Sequence, residues 1–137
     1  MAAKTFIDTN VLIYSVDSAD AQKRERALQL IAALARDRTG VISTQILQEF
    51  YSAATRKLGI EPLNAKPHIR DFQIFDIVQV TPVMIDEGID WSILNQISFW
   101  DGLVVAAAET AGCHEMFSED LGGGQTIRGV TIRNPFR

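Results

Sequence analysis

The chain has 137 residues, of which 47% are hydrophobic and 22% charged, with a formal net charge of −4. That balance suits one folded domain over residues 1–137 and excludes a disordered polyelectrolyte. The acidic sign speaks against binding nucleic acid by broad phosphate neutralisation, and a lone cysteine, Cys113, excludes an intramolecular disulfide.

Thr5-Phe6-Ile7 predicts a short buried strand ending at Asp8, ahead of a second apolar run, Val11-Leu12-Ile13-Tyr14. Asp17 or Asp20 caps a helix to about Arg36, whose Ala27, Leu28, Ile31, Leu34 and Ala35 recur at helical spacing. Gly40 to Ser43 is a strand. Ser43 or Thr44 then caps a helix with Ile46, Leu47, Phe50, Ala53, Ala54 and Leu58 on its buried face, ending at Gly59. Pro62 breaks the chain before a helix from about Asn64 to Phe75, and Ile77 to Val80 is strand-like. Thr81-Pro82 opens another helix, with Ile85, Ile89, Ile93 and Ile97 along one side. A small-residue helix runs from Asp101 to Ala111 and stops at Gly112, where Cys113 reads as a packing residue. Met116 to Ser118 and Val130 to Ile132 are short terminal strands.

Strands alternating with helices imply an α/β sandwich with a mostly parallel central sheet, in which ligands bind beyond the carboxyl ends of the strands. The longest apolar stretch, Leu103 to Ala108, is far below the ~20 residues that span a bilayer. Lys4, Thr5 and Asp8 interrupt the N-terminal run where a secretory signal would continue. No membrane partner and a cytoplasmic location are expected.

Four acids fall where such a sheet would gather them. Asp8 ends the first strand, Glu49 lies in the helix after the second, Asp101 starts the small-residue helix, and Asp120 follows the strand around Phe117. Each has a plainer alternative. Asp101 suits a helix start electrostatically, Glu49 is a solvated residue beside an apolar stripe, and Asp120 is a turn former. Asp8 satisfies itself by accepting from the N–H groups of Asn10 and Val11. Together, though, Asp8, Asp101 and Asp120 have no neighbouring Lys or Arg in the sequence, and clustered carboxylates without a cation repel. A hard divalent ion, Mg²⁺ or Mn²⁺, relieves that repulsion. His68 and His114 have no ligand spacing, which discounts zinc.

The segments carrying these acids resemble the PIN domain family of nucleases. Ile7-Asp8-Thr9-Asn10-Val11-Leu12 is similar to its opening motif and Gln48-Glu49-Phe50 to its second acidic position. Trp100-Asp101-Gly102-Leu103 is similar to its third and Ser118-Glu119-Asp120-Leu121 to its fourth. The resemblance implies a three-layer α/β/α sandwich and metal-dependent cleavage of RNA. Asp8, Glu49, Asp101 and Asp120 become the catalytic, metal-holding acids. Thr9, Asn10, Ser118 and Glu119 become polar residues beside them, with Glu119 a second carboxylate able to share the role of Asp120. The length looks most like the toxin subunits of VapBC toxin–antitoxin modules, which implies a homodimer and a small antitoxin partner.

The mechanism expected on this resemblance is RNA hydrolysis by metal-activated water. Arg56, Lys57, Lys66, Arg70 and Arg128 are available for the RNA backbone, or are ordinary surface charge. Phe72, Phe75, Trp91, Phe99 and Trp100 read as packing residues before base-stacking ones. A non-catalytic PIN-like RNA-binding or regulatory protein is the alternative. A phosphatase- or receiver-like reading fails because Asp8-Thr9-Asn10 lacks the second Asp and no paired early acid or late catalytic Lys is found.

Overall fold

The computed structural model describes residues 2–137. The strands are β1 (Thr5–Ile7), β2 (Gly40–Ser43), β3 (Asp76–Val78), β4 (Glu115–Phe117), β5 (Thr126–Ile127) and β6 (Val130–Arg133). The helices are α1 (Thr9–Tyr14), α2 (Ala21–Asp37), α3 (Thr44–Arg56), α4 (Pro62–Asp71), α5 (Pro82–Asn95) and α6 (Phe99–Thr110).

The sheet order is β3-β2-β1-β4-β6-β5, parallel except for β5, which pairs antiparallel with β6. Every residue of β1 and β2 is buried, as expected of parallel strands covered by helices on both faces. α1 packs on α2 and α3, α3 packs on α4, and α5 packs on α6. The mostly parallel α/β architecture anticipated from the alternating pattern is therefore present. No helix among the described residues is long and apolar enough to cross a membrane.

The caps follow local chemistry. The side chains of Asp20, Ser43, Thr81 and Ser98 accept backbone N–H groups at the starts of α2, α3, α5 and α6. Pro62 does not break the chain but opens α4, where a missing N–H costs nothing. The run after Asp8 is α1, a helix of six residues for which Asp8 is the N-cap.

The isoleucine side of α5 faces outward: Ile85, Ile89 and Ile93 are 41%, 44% and 70% exposed. The inward positions are Met84 and Gly88. Two glycines explain the choice. A Cβ on Gly102 of α6 would lie 2.3 Å from the Gly88 carbonyl oxygen, and one on Gly88 would lie 3.0 Å from the Leu103 backbone. The two helices thus cross backbone to backbone, a contact that no isoleucine face permits. Cys113 is buried, and that burial pushes its thiol up to about 11, as suits a packing residue.

Candidate acid cluster and cleft

β1 lies between β2 and β4, so the chain leaves β1 toward one side while β4 returns on the other. Such a reversal opens a crevice beyond the carboxyl ends of the strands. Asp8 follows β1, and Ser118 to Asp120 follow β4, whose Phe117 is in register with Ile7. α6 runs back against the strands, so its first turn, with Asp101, returns to the same end. α3 departs from the end of β2 and carries Glu49 there.

Asp8 is only 6% exposed. One oxygen, Oδ1, accepts from the Thr9 N–H at 2.8 Å. The other, Oδ2, accepts from the Ser118 hydroxyl at 2.7 Å and the Asn10 amide at 3.4 Å. The backbone donor is therefore Thr9, not Asn10 or Val11. Burial pushes the Asp8 carboxyl up to about 6. The Ser118 and Thr9 hydrogen bonds hold it down, and the charges of Asp101 and Glu49 push it further up.

Asp101 is the third residue of α6, and its N–H donates to the Ser98 hydroxyl at 3.1 Å. Its carboxyl is also raised, first by burial, with Ser98 opposing and then Asp120 and Glu49 adding to it. The electrostatic coupling of Asp8 and Asp101 with Glu49, and of Asp101 with Asp120, places the four acids in one field.

Glu49 is held at both oxygens. The Thr9 hydroxyl donates to Oε1 at 2.8 Å and the Gln45 amide to Oε2 at 3.2 Å. Gln45 also donates to the Trp100 carbonyl at 3.1 Å, tying α3 to the start of α6. Nothing in the sequence marked Gln45 beyond its place one turn before Glu49. Asp120 is exposed and accepts from Asn10 Nδ2 at 3.2 Å, so Asn10 joins the first and fourth segments. The backbone N–H of Glu119 donates to Asn10 Oδ1 at 3.1 Å, and its carboxylate binds Lys23 and Tyr14.

Thr9, Asn10, Glu49 and Asp120 line a cleft of about 650 Å³ together with Arg56 and Lys57. The other cations named from sequence lie elsewhere or are engaged. Arg128 pairs with Glu109 at 3.0 Å and stacks on Trp91 at 4.2 Å, and Lys66 lines an apolar groove with Leu63 and Tyr51. Phe72 and Phe75 are buried, whereas Trp100 is 59% exposed.

The donor set of carboxylate oxygens suits a hard divalent cation, not zinc. The buried Gln45 Oε1 next to Glu49 has no hydrogen-bond partner among the described residues, and the Asp8 and Asp101 carboxyls, raised first by burial and then by the neighbouring acids, would be held in the charged form by a cation. As the side chains stand, however, no three His, Cys, Asp or Glu residues among those described close around one point. The carboxylate chemistry of these residues fits such an ion.

A family model described as PIN domain matches residues 5–122. No curated protein matches the chain. Among solved structures, the chain is similar to VapC20 of Mycobacterium tuberculosis, described as a Sarcin-Ricin loop cleaving toxin. The two share 20% identity over 91% of this chain and 98% of that one, with a TM-score of 0.73. A toxin–antitoxin complex from Klebsiella pneumoniae matches at 17% identity, covering 96% and 98%, with a TM-score of 0.72. VapBC2 from Rickettsia felis, bound to a DNA fragment from its promoter, matches at 14% identity, covering 94% and 96%, with a TM-score of 0.68. At these identities the likeness is one of fold.

Proposed function

The chain belongs to the PIN domain family, and from that premise we propose that it is a Mg²⁺- or Mn²⁺-dependent endoribonuclease, the toxin of a type II toxin–antitoxin pair. The observation that carries this reading is the set Asp8, Glu49, Asp101 and Asp120 at the carboxyl end of a parallel sheet, beside a cleft that Arg56 and Lys57 also line.

Asp8, Asp101 and Asp120 would hold the cation, and Glu49 would hold it directly or through water. When bound, such an ion supplies acidification of water and neutralisation of charge on a phosphate. The chain's own residues prepare the site. Ser118 and the Thr9 N–H fix the Asp8 carboxylate, Thr9 and Gln45 fix Glu49, and Asn10 spans Asp8 and Asp120. Held in this way, the acids present their remaining lone pairs without the freedom to pair elsewhere. The net negative charge of the chain then poses no barrier to phosphate, because the local charge belongs to the loaded site.

A small antitoxin is the proposed protein partner, supported by neighbours that are themselves toxin–antitoxin complexes. A second copy of the chain is the other, and the outward apolar face of α5, with Val83, Ile85, Ile89, Ile93 and Leu94, is surface that it would cover. The cytoplasm is the proposed location.

Incubating RNA with the purified protein and Mn²⁺ tests the reaction. Hydrolysis by water leaves 5′-phosphate and 3′-hydroxyl ends, and EDTA should abolish it. Ends carrying 2′,3′-cyclic phosphate would mean attack by the ribose hydroxyl and contradict the scheme. RNA bound but never cut would favour the non-catalytic alternative.

Arg56 and Lys57 make a separate prediction, best read in an Asp8→Asn background where RNA survives. Replacing both by Ala is expected to weaken RNA binding at every sequence. The slope of log affinity against log salt should fall by roughly 1 for each cation removed. An unchanged slope would take them out of the RNA path.

A further inference from the structure

Beside the acid cluster lies a second polar assembly built from α1, α2 and the segment after β4. The Glu119 carboxylate accepts from the Lys23 ammonium at 2.6 Å through Oε2 and from the Tyr14 hydroxyl through Oε1. Lys23 also donates to the Tyr14 hydroxyl at 3.2 Å and sits 4.7 Å above the Tyr14 ring. Phe136 packs edge-on against Tyr14, with ring centroids 4.9 Å apart, and closes the far side. Burial alone would raise the Glu119 carboxyl, but Lys23 and Tyr14 outweigh it and hold the group below its ordinary value.

The neighbouring bonds connect this assembly to the acids. The backbone N–H of Glu119 donates to Asn10 Oδ1, which turns Asn10 Nδ2 toward Asp8 and Asp120. Glu119 is therefore gripped at its side chain by two helices while its backbone orients the one amide that spans the first and fourth acidic segments. A Glu119 carboxylate released from Lys23 would be a fifth negative charge next to Asp120.

We propose that Lys23, together with Tyr14, is a positioning residue for the acid cluster: by binding Glu119 it fixes the 118–120 backbone, and through Asn10 the placement of Asp120, while keeping Glu119 out of the cluster. This rests on the reading of the four acids as the metal-holding set. A single partly exposed ion pair, with side chains 33% and 22% exposed, contributes little to global stability, so its removal leaves a folded protein in which only the placement of the acids changes.

The test is calorimetric titration with Mn²⁺ of the wild-type chain, Lys23→Met, Lys23→Arg, Glu119→Gln and the Lys23→Met/Glu119→Gln double variant, with circular dichroism to check the fold. Lys23→Met is expected to weaken Mn²⁺ binding roughly ten- to a hundredfold, the effect of losing a group behind a metal ligand. Lys23→Arg should recover most of the affinity, since it keeps the charge. The double variant should bind no more weakly than Lys23→Met, because Lys23 acts through Glu119. In RNA cleavage the loss should fall on kcat with KM nearly unchanged. Wild-type Mn²⁺ affinity in Lys23→Met, or losses that add in the double variant, would overturn the proposal; Glu119→Gln, which keeps the side-chain shape, carries the comparison if Lys23→Met folds poorly. Asp8-dependent Mn²⁺ binding without RNA cleavage would overturn the nuclease reading and leave this one to the titration, whereas no Mn²⁺ binding by the wild-type chain would overturn both.

Discussion

Asp8→Asn is expected to abolish RNA cleavage and, in EDTA at pH 8, to make the protein more stable than the wild type. Both effects come from one buried carboxyl. Its folded value is about 6, against about 3.9 for an unfolded Asp. A raised value means that the folded state holds the proton more tightly. The associated stability is therefore full below about pH 4, declines as pH rises through 6, and is gone at pH 8. A rise from about 3.9 to about 6 corresponds to about 3 kcal/mol. An amide at position 8 carries no charge to bury, and the Ser118 hydroxyl can turn to accept from it. Denaturant unfolding in EDTA should show the wild type losing stability between pH 4 and 8, with a shallower fall in the variant, whose Asp101 carboxyl is still raised, and the variant up to about 3 kcal/mol more stable at pH 8. The same variant should lose at least ~100-fold in metal-dependent cleavage, more than a residue merely behind the ligands would cost. A variant that is no more stable at pH 8 would mean that Asp8 is not the buried, repelled group described.

Gly102→Ala is the second large effect, and it acts through packing. The added methyl would stand 2.3 Å from the Gly88 carbonyl oxygen and 3.1 Å from the Ser92 nitrogen. Both are backbone atoms of α5, so no side chain can swing aside and the helices must separate. Overpacking of this kind costs about 3 kcal/mol. Because Asp101 is the preceding residue, the shift of α6 should reach the acid cluster, and Mn²⁺ binding should weaken along with the fold. Unfolding midpoints decide the matter. A change within about 0.5 kcal/mol, the range of an ordinary surface substitution, would mean that the α5–α6 crossing is looser than described.

The isoleucines at intervals of four mark one side of α5 but not which way it faces; Gly88 and Gly102, where α5 and α6 cross backbone to backbone, decide that. α1 escaped the periodicity argument for a simpler reason, since six residues complete too few turns to establish a period. β5, two residues long after three glycines, carried no pattern at all.

What the sequence determined by itself was the alternation of strand and helix, the cap at Thr81 and two candidates each for the caps of α2 and α3, the strands β1 and β2, and the four acidic segments in their order. These are local properties, set by the period of apolar residues and by side chains bonding their own backbone a few positions away. What only the tertiary structure decided was which groups meet: Thr9 with Glu49, Asn10 with Asp120, Gln45 with the start of α6, and Lys23 with Glu119. These partners lie 40 to 110 residues apart. Their meeting depends on β1 lying between β2 and β4, and on rotamers chosen by the charges around them. Neither is written in the spacing of residues along the chain, because strand adjacency is settled by the packing of the whole sheet and a side chain's partner by the electrostatics of the site that results.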